Sequence, residues 1–254
     1  MPVDLTLPYS TLFAFMLVFA RVAGAVTFLP IPGIQSGPEA PRIILALAIT
    51  VGLAPVWPEA RIPDGIGTLA VWIAAEAAFG ITAGVAVSFL LETLGIAFQL
   101  IGLQAGYSYA STIDPINNAD SSVLIVMAQL MSGLLFFAFG LDREILRIFA
   151  ASLSAHPPGT WTAGPEALAV ITNIGTGMFA TGVRLALPVV VLLLLIDCAI
   201  ALLGRMHQQL QLITLAFPVK MATSFIMLAA VAAVFAPVWR GAAERTLAAL
   251  GRIL

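Results

Sequence analysis

Gly182–Lys220 reads GVRLALPVVVLLLLIDCAIALLGRMHQQLQLITLAFPVK. Crossing a bilayer core of about 30 Å takes about twenty consecutive apolar residues. Leu185–Leu203 meets that length with Asp197 as its only charge, and Met221–Trp239 meets it with none. Between them Gly204–Gln211 forms a polar tip. Lipid admits only helices or closed barrels, and these runs show no strand alternation. The stretch therefore predicts a helical hairpin in a membrane. Charges inside such runs are informative, because a central charge costs about 2.5–3.5 kcal/mol on insertion scales and usually faces protein or water.

The rest of the chain agrees with this reading. Of 254 residues, 61% are hydrophobic and 9% are charged, against about a quarter charged in soluble domains. A net charge of -2 leaves no basic surface for nucleic acid. No loop is long enough to be a separate soluble domain. The single cysteine, Cys198, excludes an internal disulfide framework and reads as a small packing residue. The first eight residues carry Asp4 and no Lys or Arg, unlike the positive start of a cleaved signal. The first apolar run is expected to remain as a helix.

That run, Tyr9–Leu29, holds Arg21 in its second half. A loop rich in proline and glycine follows, and then Arg42–Val56, which is short for a span. It is read as tilted, half-inserted or buried in an assembly. Thr68–Gln99 is too long for one simple span. Within it Glu76, Gly80, Gly84, Ser88 and Glu92 recur every four residues, which makes a slanted ridge on a helix. Gly80 and Gly84 permit close helix approach. The ridge is either ordinary packing or a place where Glu76 and Glu92 meet cations. Gln99–Ser122 reads as a polar, nearly uncharged loop, with a turn at Asp114–Pro115. Loops of that length are uncommon and often functional, so it is either a connector or a plug across a pathway. Val123–Leu141 is the fourth segment. Arg143 and Arg147 lie on one face after it, at a solvated helix end, and Trp161 is a candidate interface marker. The fifth segment, Pro165–Leu203, should kink at Pro188 and form two helical pieces. The sixth is the hairpin's second arm. The fold class is thus all-α integral membrane protein, with about six apolar segments, some kinked or broken.

No catalytic constellation is visible. His156 and His207 have no acidic or cysteine partners at metal-ligand spacing. A phosphate-cradling loop and a nucleophile elbow are both missing. No enzyme activity, metal or cofactor is expected. The intramembrane charges Arg21, Glu76, Arg184 and Asp197 remain. Arg184 and Asp197 lie thirteen residues apart, about 20 Å along one helix, so they cannot pair. Each needs a partner from another segment, such as Arg21 or Glu76, or from another subunit. This favours either an assembly or a transporter with a polar pathway.

Taken in order, these residues resemble the FliR family of flagellar biosynthetic proteins and its virulence type III secretion relatives. The resemblance covers essentially the whole chain. It rests on Arg21 and Gly24 before a Pro/Gly loop and Pro41-Arg42, then Glu76, Gly80 and Gly84. It continues with Gln104-Ala105-Gly106 and Asp114-Pro115, then Gly177-Met178-Phe179, Arg184 to Pro188, Asp197 and Arg205. The hairpin tip departs from the family pattern, having Gln208 where a proline is usual and Ala216 before Phe217-Pro218. Residues 209–220 also resemble the hairpin of the small partner subunit FliQ.

The resemblance implies a FliP-like part over 1–165 and a FliQ-like hairpin part over 166–254. It implies a subunit of a flagellar export gate at the base of the flagellum, in the bacterial inner membrane. The gate would be a helical multi-subunit assembly with FliP-like and FliQ-like subunits and an FlhB-like switch protein, surrounded by membrane lipid. Unfolded exported flagellar proteins would pass through it. Gly102, Gly106, Tyr107, Tyr109, Ile113, Asp114, Pro115 and Ile116 are the implied plug and pore loop. Arg205, Gln208, Gln209, Gln211, Phe217, Pro218 and Lys220 are implied at the hairpin tip, as entrance or subunit contacts. The alternative is a stand-alone secondary transporter built on the four intramembrane charges, although no inverted repeat is visible. An intramembrane enzyme has little support.

Overall fold

The computed structural model describes residues 9–29, 40–58, 62–107, 123–161, 164–206 and 212–253. Among them the chain is helical, with short turns and no strand. Helix α1 is Tyr9–Phe28 and α2 is Ala40–Gly52, followed by a 3-10 turn at Ala54–Val56. Next come α3, Ile66–Ala105, then α4, Val123–Ala138, and α5, Leu141–Ala155. The hairpin arms are α6, Pro165–Met206, and α7, Leu212–Ile253. Four helices are long and apolar enough to cross a membrane, or five if α4 and α5 form one span. The chain is an all-α, multi-pass membrane protein.

Three segment boundaries differ from expectation. The central loop begins later than Gln99, because Gln99–Ala105 continues α3. The reason is apolar: Ile101 and Ala105 are buried, so these turns gain packing that a loop would forfeit. The fifth segment is one helix of 42 residues that runs through Pro188. Proline forfeits one backbone bond, whereas a break would strand several polar groups in apolar surroundings. Gly140, at φ 66°, separates α4 from α5. Helix α5 then buries Leu141, Ile145, Phe149 and Leu153 and exposes Arg143 and Arg147. Arg147 pairs with Glu144 at that exposed surface.

The packing forms two compact units. The first comprises Met1–Leu90, Phe136–Gly175 and Glu244–Leu254. Both it and the second unit draw residues from either side of position 165. In the first unit, Val18, Val22 and Val26 of α1 pack with Ala46 of α2 and Leu153 of α5. Helices α1 and α3 approach closely. A Cβ on Gly24 would stand 2.5 Å from the Ala77 carbonyl oxygen, and one on Gly84 would stand 2.5 Å from that of Ala25. At Gly80 it would overlap the Arg21 carbonyl. The ridge on α3 is thus a helix contact, as small residues allow.

The second unit comprises Leu91–Leu135 and Thr176–Ala243. The end of α3 supplies buried Leu94, Phe98 and Ile101, and α6 supplies Leu185, Val189 and Leu193. Helix α7 brings Phe235, whose ring lies 5.8 Å from that of Phe98. Gly182 lets α6 approach α3, where a Cβ would meet the Thr93 carbonyl oxygen at 2.9 Å. Ser132 of α4 donates to the Leu91 carbonyl at 2.9 Å.

Candidate functional site

Arg21 and Glu76 have fully buried side chains, and Arg21 Nε donates to Glu76 Oε2. Their helices meet here because Gly24 and Gly80 bring the backbones together one turn further on. The other guanidinium donors are also engaged. Nη1 donates to the Ser152 carbonyl at 3.2 Å and to its Oγ at 3.1 Å, and Nη2 donates to the His156 carbonyl at 2.9 Å. Glu76 Oε1 accepts the Gly159 N–H at 2.9 Å. The Phe79 ring lies 4.1 Å from the guanidinium carbon, within cation–π range. Trp161 packs edge-on against Phe79. It is buried, so it is a core residue and not an interface marker. Gly159, at φ 86°, has the Trp72 ring where a Cβ would be. One ion pair thereby fastens α1, α3 and the turn after α5.

A second polar cluster lies inside the hairpin. Lys220 Nζ stands 2.9 Å from Asp197 Oδ1 and 3.0 Å from Oδ2. Gln104, near the end of α3, donates to Asp197 Oδ2 at 2.9 Å. The Lys220 side chain is 12% exposed and that of Asp197 is 40%. Beside them, Tyr107 donates to the Met221 carbonyl at 3.4 Å and lies 3.5 Å from Ser224 Oγ. Its ring meets Phe225 edge-on. Gly106, at φ 88°, faces the Phe217 ring, which a Cβ would meet at 2.8 Å. The turn that ends α3 is thus seated on the first turns of α7.

The four expected intramembrane charges fall out differently. Arg21 and Glu76 satisfy each other, so neither is the partner of Asp197 or Arg184. Asp197 takes Lys220 from the opposite arm. Arg184 is exposed, and so is Glu92, which meets no cation among the described residues. Cys198 is exposed and is not a packing residue. At the hairpin tip Arg205 and Pro218 are exposed, and Phe217 is half-buried. Gly102 lies in α3, and Gly106 and Tyr107 form the turn after it. Tyr109, Ile113, Asp114, Pro115, Ile116, Gln208, Gln209 and Gln211 lie outside the described residues. Among the described residues no cluster of His, Cys, Asp or Glu could hold a metal ion.

Comparison with known families matches residues 12–246 to the bacterial export proteins, family 1. The chain belongs to this family. Its relatives bear out the resemblance to FliR and to virulence type III secretion proteins. The flagellar biosynthetic protein FliR of Escherichia coli (strain K12) is 29% identical over 218 residues, covering 85% of this chain and 83% of the relative. FliR of Bacillus subtilis (strain 168) is 27% identical over 249 residues, covering 95% and 94%. The surface presentation of antigens protein SpaR of Salmonella typhimurium is 28% identical over 217 residues, covering 83% and 79%.

Sequence reasoning missed the groups that complete each cluster. Ser152, His156 and Gly159 contribute mostly backbone atoms to the Arg21 site, which composition does not flag. Lys220 had a usable signal. Asp197 and Lys220 are almost equidistant from the polar tip at 204–211, so an antiparallel hairpin sets them opposite each other.

Proposed function

We propose that this chain is a subunit of the export gate of a flagellar type III secretion apparatus. In this reading it sits in the bacterial inner membrane at the base of the flagellum. It assembles there with FliP-like and FliQ-like subunits, next to an FlhB-like switch protein, around a pore for unfolded flagellar proteins. The observation that carries the reading is the family match over nearly the whole chain, together with the relatives' roles in flagellar biosynthesis. The helix dimensions support it. Helices of 40 and 42 residues are about 60 Å long, twice a bilayer core of about 30 Å. Such lengths suit helices covered partly by neighbouring subunits.

Among the described residues the transporter alternative keeps only one of its four charges unengaged: Arg21, Glu76 and Asp197 are in pairs between helices, and Arg184 alone is left. The division into a FliP-like part over 1–165 and a FliQ-like part over 166–254 belongs to the proposal. So does a plug formed by residues 102–122, which acts sterically: it fills the pore at rest and is displaced by substrate.

The test is co-expression with the FliP-like and FliQ-like proteins of the same genome, followed by the mass of the detergent-extracted particle. A mixed particle containing this chain is expected. A particle of this chain alone, indifferent to those partners, would refute the gate. Within the mixed particle, deleting Tyr107–Asn117 should raise ion leakage, and unchanged leakage would sink the plug.

A further inference from the structure

Helix α6 has two faces. Leu185, Ala186, Val189 and Leu193 are buried. At 100° per residue, Arg184, Leu187, Val191, Leu195, Cys198 and Leu202 line up on the opposite side, and all six are exposed. Arg184 is the only charged member of that row. Gly182, two residues away, packs on Thr93 and Ile96 of α3, so Arg184 is directed away from α3 and from Glu92. No carboxylate among the described residues reaches it.

We infer that this outward face of α6 is the seat of an apolar helix from another subunit, whose Asp or Glu pairs with Arg184. The inference rests on the export-gate reading for the partner's kind, and on charge complementarity for its chemistry. Position favours a protein occupant over a lipid headgroup. Arg184 lies near the middle of the 42-residue helix, about 30 Å from its end at Met206 and about as far from its start. Apolar surface continues on both sides of it, with Phe179 exposed before it and Leu187 after it. A bilayer core of about 30 Å covers only half of this helix. If the Arg184 level lies within lipid, the cation requires a counter-charge there. If it lies outside, the apolar row around it requires a protein cover. A helix with one carboxylate answers both cases.

The experiment places a photo-crosslinking residue at Leu187 or Val191 of the full chain, in cells making the native partners. The adduct is then identified by mass spectrometry. The expected product is an apolar segment of another subunit that contains Asp or Glu. Arg184→Glu should then lower the yield of the mixed particle about tenfold or more, in the range for losing one partner of a buried charge pair. Arg184→Lys should retain it. Reversing the identified carboxylate to Lys should restore the Arg184→Glu particle. Because Arg184 is exposed, the melting temperature of the isolated chain should not change, which separates lost docking from lost folding. Adducts to phospholipid only, adducts to residues 108–122 of the same chain, or failure of the reversed pair to restore assembly would each overturn the inference. A mixed particle that forms while the crosslinks go elsewhere refutes this face alone. Absence of any mixed particle from the unsubstituted chain refutes the gate reading, and the adduct still reports what covers α6.

Discussion

Neutralising Glu76 strands Arg21. In Glu76→Gln an amide that keeps its oxygen for the Gly159 N–H turns its NH2 toward Arg21 Nε, so the change removes the charge and the acceptor that Arg21 Nε uses. The guanidinium then stands in a site with no solvent exposure, held only by Ser152, the His156 carbonyl and the Phe79 face. Breaking a buried pair in this way costs about 3–5 kcal/mol. That is a large part of a domain's total of about 5–15 kcal/mol. At about 2–4 °C per kcal/mol for a chain of this size, the apparent melting temperature in detergent should fall by about 6–20 °C. Arg21→Met should cost a similar amount, since it leaves the carboxylate buried. Tryptophan fluorescence reports the site directly, because Trp161 packs on Phe79 and Trp72 on Gly159. The decisive variant is the double one. Removing both charges leaves no uncompensated ion, so its loss should fall short of the summed single losses by about 2–3 kcal/mol, the upper range for contacting residues. Simple additivity would refute the claim that each charge is kept in place by the other.

The hairpin pair should behave asymmetrically: Asp197→Asn leaves Lys220 at 12% exposure, whereas Lys220→Met leaves Asp197 at 40% exposure and still bonded to Gln104. Asp197→Asn should therefore lower the melting temperature more than Lys220→Met, and the reverse order would contradict this account. Gly106→Ala should cost about 1–2 kcal/mol for the left-handed backbone alone, plus the clash with Phe217. The same melting assay should show Gly106→Ala/Phe217→Leu recovering only part of that loss, since the backbone share remains.

Apolar length was legible from the sequence alone. Tyr9–Leu29 and Val123–Leu141 anticipate α1 and α4 to within a few residues, because a long run with unsatisfied backbone has few options in lipid. Local punctuation misled where tertiary packing outweighed it. Pro188 costs one bond and does not end α6. Gly102 did not stop α3, because Ile101 and Ala105 gain burial; the helix ends only where Gly106 turns left-handed. At the candidate site, residue types were legible and partners were not. For Glu76 the sequence leaves open ordinary packing or a cation, and Arg21 supplies the cation across 55 positions of sequence. A pointer existed in the spacing: each charge stands three or four residues before a glycine at which the two helices touch.

The two pairs also answer a problem that apolar composition creates. Val189-Val-Val-Leu-Leu-Leu-Leu-Ile196 and Leu228-Ala-Ala-Val-Ala-Ala-Val234 are nearly uniform. If one arm slid past the other by a helical turn, about 5.4 Å, most apolar side chains in these runs would still meet apolar neighbours. Burial along these runs therefore fixes the register of the hairpin only weakly. Asp197 and Lys220 fix it, because a slip of one turn sets Asp197 near Ala216 or Ser224 and leaves the half-buried Lys220 without its counter-charge. The same holds for α1 against α3, where three glycines allow close approach and Arg21 with Glu76 selects one sliding position. A buried ion pair adds little net stability compared with apolar packing, and fixing register is its best-attested use. That use accounts for charges being kept in segments where any apolar residue would insert more easily.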